Sequence, residues 1–162
     1  MRFINPNLHH TRHELKGEEI MSKGQVEFTK DNEYYTPKQV VDFFGQFDYD
    51  PATTKEKAKE FGITTYDTIE TDGLKQDWTN ETVYVNPPYS KCKEWVFKSW
   101  FEWFYNNATV VMLLPVRTDT KWFHQWVYNI AEIRFLKGRL KFGDSKNSAP
   151  FPSMIVIFRS EI

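Results

Sequence analysis

The 162-residue sequence contains a single cysteine and no apolar run of membrane-spanning length. One cysteine excludes an internal disulfide, which is typical of proteins in a reducing cytoplasm. The first residues also lack the charged segment followed by an apolar one that marks a secretory signal. The sequence therefore predicts a cytoplasmic protein without a membrane partner.

Internal repeats and low-complexity linkers are absent as well, and the length is typical of one domain. Residues 1–30 are predicted to be a flexible N-terminal arm and residues 31–162 a single domain. The arm contains His10 and His13 at a spacing that can bind a metal, but no carboxylate or cysteine set completes a site there. No metal site is predicted.

The net charge is only −1, but it is unevenly distributed. Residues 1–114 contain 13 Lys or Arg and 18 Asp or Glu, whereas residues 115–148 contain 7 and 3. A basic segment on an otherwise acidic chain is a candidate surface for a polyanion. Surface lysines on helices produce similar local excesses, so charge alone does not decide between the two.

Apolar periodicity and turn residues predict alternating helices and strands. Helices are predicted at residues 37–44, 55–61, 91–105 and 119–129, and strands at 47–50, 63–69, 82–85, 109–114, 131–136, 139–142 and 153–159. The run at 109–114 is continuously apolar, as in a strand buried on both faces. The helix at 91–105 carries aromatic residues at helical spacing, which predicts a strongly buried helix. This alternation indicates an α/β sheet domain.

Four polar side chains lie at or after the ends of predicted strands: Asp50, Asp72, Asn86 and Arg117. Ligands of open α/β sheets bind at the carboxyl ends of the strands, so we expect these side chains at one rim. A carboxylate there can accept hydrogen bonds from ribose hydroxyls or from a ligand amine. Capping or turn formation is the alternative role for such an aspartate.

The strand at 82–85 runs into Asn86-Pro87-Pro88-Tyr89. Neither proline can donate to a ladder, and each restricts the preceding residue to extended geometry. The loop should therefore hold the Asn86 side-chain carbonyl and the Pro87 main-chain carbonyl in fixed positions beside the Tyr89 ring. Two acceptors next to an aromatic ring suit the binding of a planar amine. An ordinary turn after an edge strand is the alternative.

Several short blocks occur in one order along the chain: Tyr35-Thr36-Pro37, Asp48 to Ala52, Asp72-Gly73-Leu74 with Trp78, Asn86 to Ser90, Leu114 to Trp122, and Lys137 to Phe142. Together they resemble the phage-type DNA adenine-N6 methyltransferases, a small Dam-like family. The resemblance implies a Rossmann-like methyltransferase fold, with a mostly parallel sheet, helices on both faces and a C-terminal antiparallel hairpin. It also implies S-adenosylmethionine (AdoMet) as methyl donor and adenine in double-stranded DNA as substrate.

The resemblance further implies roles for individual residues. The catalytic motif would be Asn86, Pro87, Pro88 and Tyr89, and cofactor binding would fall to Tyr35, Thr36, Pro37, Asp50, Pro51 and Asp72. The candidates for DNA contacts are Arg117, Lys121, Arg139 and Lys141. One departure is that the loop at 51–54 contains no glycine, although many AdoMet enzymes have a glycine-rich loop there.

Direct attack of the amine on the methyl group requires no covalent enzyme intermediate. Cys92 is therefore predicted to be a packed thiol and His124 a structural residue. The same chemistry could act on cytosine N4, an RNA adenine or a protein glutamine. A DNA-binding module that keeps the fold without the activity is the alternative of another class. The sequence predicts neither the recognition site nor the oligomeric state.

Overall fold

The computed structural model describes residues 25–26, 37–141 and 148–159. The strands are β1 (Gln25–Val26), β2 (Tyr49–Asp50), β3 (Thr65–Tyr66), β4 (Thr82–Val85), β5 (Thr109–Pro115), β6 (Glu132–Leu136) and β7 (Ser153–Phe158). The α-helices are α1 (Pro37–Phe44), α2 (Lys55–Phe61) and α3 (Cys92–Asn106). Short helical segments lie at Gly73–Lys75, Tyr89–Lys91 and Phe123–Val127.

The strands form one sheet in the order β1-β6-β7-β5-β4-β2-β3. Strand β7 is antiparallel to both β5 and β6, and the other neighbouring strands are parallel. This arrangement confirms the mixed α/β architecture with a mostly parallel sheet and an antiparallel C-terminal pair. The carboxyl ends of β2, β4, β5 and β6 and the start of β7 share one edge of the sheet, which we call the carboxyl edge.

Apolar side chains cover both faces of the sheet. Val83 and Val85 of β4 belong to a buried cluster with Trp95 of α3, whereas Tyr84 belongs to a second cluster with Val40 of α1. Successive residues of a strand point to opposite faces, so β4 has one helix on each side. The helices therefore lie on both faces, as predicted.

Each of the three α-helices is followed by a residue with positive φ, and for α1 this residue is Gly45 at φ 93°. Thr54 caps α2 by accepting a hydrogen bond from the Lys57 N–H at 3.3 Å, and Gly62 ends this helix at φ 72°. Asn107 ends α3 at φ 59°. Glycine and asparagine tolerate the left-handed region, which turns the chain back toward the sheet after each helix.

Helix α3 is less buried than its spacing predicted. Trp95 is buried, but Phe97, Phe101, Phe104 and Tyr105 are exposed. The prediction of a strongly buried helix was wrong for this outer face. Aromatic residues occur on all sides of α3, so spacing alone could not separate the core face from the solvent face.

Some boundaries also differ from the predictions. The predicted strand at 139–142 is irregular over its described part, where the Leu140 carbonyl instead accepts a hydrogen bond from the Ala149 N–H at 2.7 Å. The C-terminal antiparallel pair is therefore formed by β6 and β7. The predicted helix at 119–129 contains a π-helical turn at Phe123–Val127. Strand β1 lies within the segment predicted to be an arm, and it pairs with β6.

Within the described ranges, no helix combines the length and the apolar character needed to cross a bilayer.

Candidate active site

The sheet changes winding direction at the boundary between β2 and β4. From β2 the chain passes through α2 to β3 on one side, whereas from β4 it passes through α3 to β5 on the other. Such a switch point leaves a crevice outside the carboxyl ends of the two strands, which is where open α/β sheets bind ligands. Asp50 ends β2 and Asn86 follows β4 directly, so both residues lie at this crevice.

Asp50 is only 2% exposed. Its carboxylate accepts a hydrogen bond from the Ala52 N–H at 3.1 Å. Burial raises the pKa of Asp50 to about 7, although the hydrogen bond from Ala52 acts in the opposite direction. No Lys or Arg of the described residues forms an ion pair with this carboxylate. Asp50 is therefore a buried acceptor that a ligand donor would stabilise in its charged form.

Asp72 lies in a loop that packs against the exit of β2. Its backbone has φ 54°, and its carboxylate is 3.0 Å from the Lys75 ammonium, whose hydrogen bond lowers the pKa of Asp72. The next residue, Gly73, is in such close contact with Pro51 that any Cβ at Gly73 would lie 2.1 Å from the Pro51 carbonyl oxygen. The two acidic positions proposed for the cofactor are thus on adjoining loops.

The motif loop follows β4 at the same edge. Asn86 is partly exposed, Pro87 is buried and Pro88 is exposed in extended geometry at φ −60°. The Pro88 carbonyl accepts a hydrogen bond from the Lys91 N–H at 2.9 Å, which begins the turn into α3. The structure therefore has a loop directly after β4, in which Pro88 is extended; the fixed geometry predicted for Asn86 and Pro87 stays a prediction.

A cavity of about 280 Å³ opens beside this loop. It is lined by Tyr89, Cys92, Pro115, Arg117, Asp119, Thr120, Trp122 and Phe151. The Tyr89 ring meets the edge of the Phe151 ring at a centroid distance of 5.0 Å, and the Arg117 guanidinium lies 5.7 Å from the Phe151 centroid. The Phe151 ring and the Arg117 cation therefore lie next to the motif residue Tyr89 in this cavity.

Sequence reasoning missed Trp122 and Phe151 as lining residues. Phe151 reaches the cavity because β7 is antiparallel to β5, with Ser153 opposite Pro115. The Val116 N–H also donates a hydrogen bond to the Pro152 carbonyl at 2.9 Å, which fixes the loop before β7. The only signal in the sequence was that this loop connects two predicted strands, and that signal does not give the pairing.

Tyr89 and Cys92 both remain protonated near neutral pH. Burial raises the pKa of Tyr89 to about 12 and that of the Cys92 thiol to about 11, although the Arg117 charge partly opposes the shift at Cys92. Cys92 is 5% exposed and belongs to the apolar cluster under α3. The prediction of a packed thiol is confirmed. A protonated thiol is a poor nucleophile, so this residue does not suit covalent catalysis.

The remaining predicted residues are distributed around the carboxyl edge. Arg117 and Lys121 follow β5, and Arg139 and Lys141 follow β6. An Arg139 guanidinium nitrogen contacts the Ala149 carbonyl at 3.4 Å. All four therefore follow strands that end at the carboxyl edge, and of these four Arg117 lines the cavity.

Three predicted positions precede or begin α1. Tyr35 and Thr36 lie outside the described residues, and Pro37 is the first residue of α1.

His124, predicted to be structural, has a ring nitrogen 2.8 Å from the Thr118 carbonyl. Because a carbonyl only accepts hydrogen bonds, that nitrogen is the donor. This bond ties the helical segment to the loop after β5.

The switch-point crevice, the two carboxylates beside it and the adjoining aromatic cavity all lie at the carboxyl edge of an α/β domain. Residues 25–161 match the family model for DNA N-6-adenine-methyltransferase (Dam), so the chain belongs to this family of enzymes. The family acts on adenine in DNA, and its reaction requires a methyl donor.

Two curated relatives agree with this assignment. The chain is 29% identical to the DNA N-6-adenine-methyltransferase of Haemophilus phage HP1 (strain HP1c1) over 150 residues, which are 86% of this chain and 85% of the relative. It is 33% identical to the DNA N-6-adenine-methyltransferase of Escherichia phage T1 over 110 residues, which are 65% of this chain and 44% of that protein. No solved structure matches the chain.

Proposed function

We propose that this chain transfers a methyl group from AdoMet to N6 of an adenine flipped out of double-stranded DNA. The proposal includes a Rossmann-like methyltransferase fold with the reaction at the carboxyl edge of the sheet. The observation that supports it is that one short loop connects the two features: Asn86 directly follows β4 at the crevice, and Tyr89 lines the aromatic cavity. A donor in the crevice and a base in the cavity would meet at the motif loop.

The residues at the crevice have suitable chemistry for AdoMet. This cofactor carries ribose hydroxyls and an ammonium group, all of them hydrogen-bond donors, and the Asp50 and Asp72 carboxylates are acceptors. The lack of an ion pair at Asp50 among the described residues is consistent with a ligand donor as its partner. Pro51, which follows Asp50, packs against Gly73, which follows Asp72. By resemblance, Tyr35, Thr36 and Pro37 would cover the methionine end.

When bound, AdoMet supplies an electrophilic methyl group on a sulfonium. The Asn86 side-chain carbonyl and the Pro87 main-chain carbonyl would accept hydrogen bonds from the adenine N6 hydrogens. These bonds draw the hydrogens out of the ring plane and restore the lone pair to nitrogen. Holding N6 in line with the methyl group then supplies most of the rate increase. A direct displacement also needs no nucleophile from the enzyme. Cys92 would remain a neutral packed thiol throughout.

Tyr89 would hold the target base outside the duplex. Flipping a base costs a few kcal/mol, and stacking on an aromatic ring contributes roughly 1–3 kcal/mol per base. Tyr89 therefore offsets part of the flipping energy. The Tyr89 ring packs against the Phe151 ring at a centroid distance of 5.0 Å.

The cations on the carboxyl edge would bind the DNA backbone. Arg117 and Lys121 follow β5, which pairs with β4, whereas Arg139 and Lys141 follow β6, two strands further along the same edge. Positive charge on this side of the sheet would neutralise phosphates on both sides of the flipped adenine.

Tritium transfer from labelled AdoMet to unmethylated DNA tests the proposal directly. We expect label in DNA with the unaltered protein, and its loss with Asn86→Ala, which removes one acceptor for the amine. Gln125→Ala is a matched control, because Gln125 is an exposed amide side chain on the helical segment after β5. Label that persists in Asn86→Ala would contradict the proposed role of the motif.

Mass spectrometry of the digested product separates the alternative amines. N6-methyladenine is the expected nucleoside, and N4-methylcytosine alone would contradict the adenine assignment. Label found only in RNA, or only in protein glutamine, would show that the substrate belongs to that class instead of DNA. DNA binding without AdoMet-dependent turnover would instead identify an inactive relative.

A further inference from the structure

We propose that Trp78 is a positioning residue of the cofactor site, holding the loop that carries Asp72 against the loop that carries Asp50. This inference rests on the proposed function, because it assigns a role toward AdoMet. Neither Asp72 nor Asp50 contacts Trp78 through its carboxylate, so the effect is indirect. It passes through one main-chain carbonyl, that of Gly73.

The indole of Trp78 is fully buried and donates a hydrogen bond from Nε1 to the Gly73 carbonyl oxygen at 3.1 Å. Gly73 is at the same time in close contact with Pro51, with no space for a side chain between them. Its carbonyl is therefore fixed on one side by Trp78, while its α-carbon is confined on the other by the β2 exit loop.

The backbone of Trp78 is anchored independently to α3. Its N–H donates a hydrogen bond to a Glu102 carboxylate oxygen at 3.3 Å, and Glu102 is itself 2% exposed. Asn106 donates to the same Glu102 oxygen at 2.8 Å, and the Lys98 ammonium pairs with the other. A buried and multiply bonded carboxylate is a rigid attachment point. The indole thus transmits the position of α3 to the Asp72 loop.

Lys98 adds a second link between α3 and this loop. Its ammonium donates a hydrogen bond to the Gln76 carbonyl at 2.6 Å. The loop is therefore held at two carbonyls, those of Gly73 and Gln76. Asp72 itself adopts φ 54°, a conformation that non-glycine residues rarely adopt and that persists when surrounding contacts enforce it. The Trp78–Gly73 bond is one of those contacts.

Trp95 offers a matched control within the same cluster. Its ring stacks near that of Trp78 with a centroid distance of 6.3 Å, and it is 6% exposed. Its indole N–H has no hydrogen-bond partner among the described residues. Replacing either tryptophan with phenylalanine removes a similar volume from one core, but only Trp78→Phe removes a bond to the Asp72 loop.

The first experiment is calorimetric titration of AdoMet into the unaltered protein, Trp78→Phe and Trp95→Phe, with thermal melting of each. We expect binding about tenfold weaker in Trp78→Phe and nearly unchanged in Trp95→Phe, because one hydrogen bond is lost from the loop. The melting temperature should fall further in Trp78→Phe, which also loses the bond to the Gly73 carbonyl, than in Trp95→Phe. Equal AdoMet affinities for the two variants would overturn the inference. No binding to the unaltered protein would instead contradict the proposed function.

A double-mutant cycle shows whether Trp78 acts through Asp72. Asparagine tolerates positive φ, so Asp72→Asn removes the charge without forcing the loop to change. If Trp78 positions this carboxylate, Trp78→Phe should weaken AdoMet binding much less in the Asp72→Asn background than alone. Additive losses would overturn the inference. In steady-state assays the defect should raise KM for AdoMet while kcat at saturation stays within about twofold.

Discussion

Gly73 and Pro51 are in contact across the two loops of the crevice, and a Cβ at Gly73 would lie 2.1 Å from the Pro51 carbonyl oxygen and 2.5 Å from its Cβ. Contacts this short involve backbone and a proline ring, neither of which can rotate away. The close approach is therefore a requirement of the loop arrangement. It explains why a glycine directly follows Asp72, the partly exposed aspartate of this site.

We expect Gly73→Ala to separate the two loops. The overpacking should destabilise the protein by about 1–3 kcal/mol and weaken AdoMet binding as well. Chemical denaturation and calorimetric titration measure the two effects. Gly62→Ala is a suitable control, since Gly62 has φ 72° but open space around it. That control should lose stability through backbone strain and retain its AdoMet affinity. Unchanged AdoMet affinity in Gly73→Ala would count against the role of this contact.

Substitutions of Tyr89 should distinguish its ring from its hydroxyl. Tyr89→Ala should lower kcat/KM for DNA by roughly 10- to 100-fold, which corresponds to the loss of about 1–3 kcal/mol of stacking. Tyr89→Phe keeps the ring and its edge contact with Phe151, so it should retain activity within about threefold. Steady-state methylation at saturating AdoMet measures both. Equal losses in the two variants would show that stacking is not the contribution of this residue.

Asp50 should make both stability and AdoMet binding depend on pH. Its pKa rises from 3.8 to about 7 on folding, so the native state binds more protons than the unfolded state between these values. Stability should therefore fall as pH rises from about 4 to 7 and change little above that. Bound donors favour the charged carboxylate, so AdoMet affinity should increase as pH rises through 7.

The test is to compare the unaltered protein with Asp50→Asn by denaturation and titration across this pH range. The amide cannot titrate, so the contribution of this residue to both pH profiles should disappear in the variant. Parallel profiles for the two proteins would contradict the assignment of the pH dependence to Asp50.

The cations of the carboxyl edge should determine the salt dependence of DNA binding. Arg117→Gln and Lys121→Gln should each weaken binding across sequences and reduce the slope of log affinity against log salt by about 1. Lys59→Gln on the last turn of α2 is a control, because this end of α2 is remote from the carboxyl edge. Fluorescence anisotropy at several salt concentrations gives the slopes. A loss of slope in the α2 variant equal to that in the edge variants would contradict the assignment.

The features that the sequence predicted correctly depend on neighbouring residues. Alternating apolar residues before Asn86 and the two prolines after it determine a strand that ends at Val85, because each constraint acts within one or two residues. The continuous apolar run at 109–114 likewise indicated a strand buried on both faces. These local signals were enough to place Asp50 and Asn86 at the carboxyl ends of strands.

The cavity depended on long-range pairing instead. All residues of β7 are buried, so the sequence pattern of this strand favours no particular neighbour or direction. The insertion of β7 between β5 and β6 brings Phe151 against Tyr89, although 61 residues lie between these two in the sequence. Equally, the sequence did not identify Trp78 as a hydrogen-bond donor to Gly73. The chain by itself determined where its strands stop, and only the tertiary structure decided which strand ends meet, because sheet pairing maximises burial over the whole molecule rather than within any one segment.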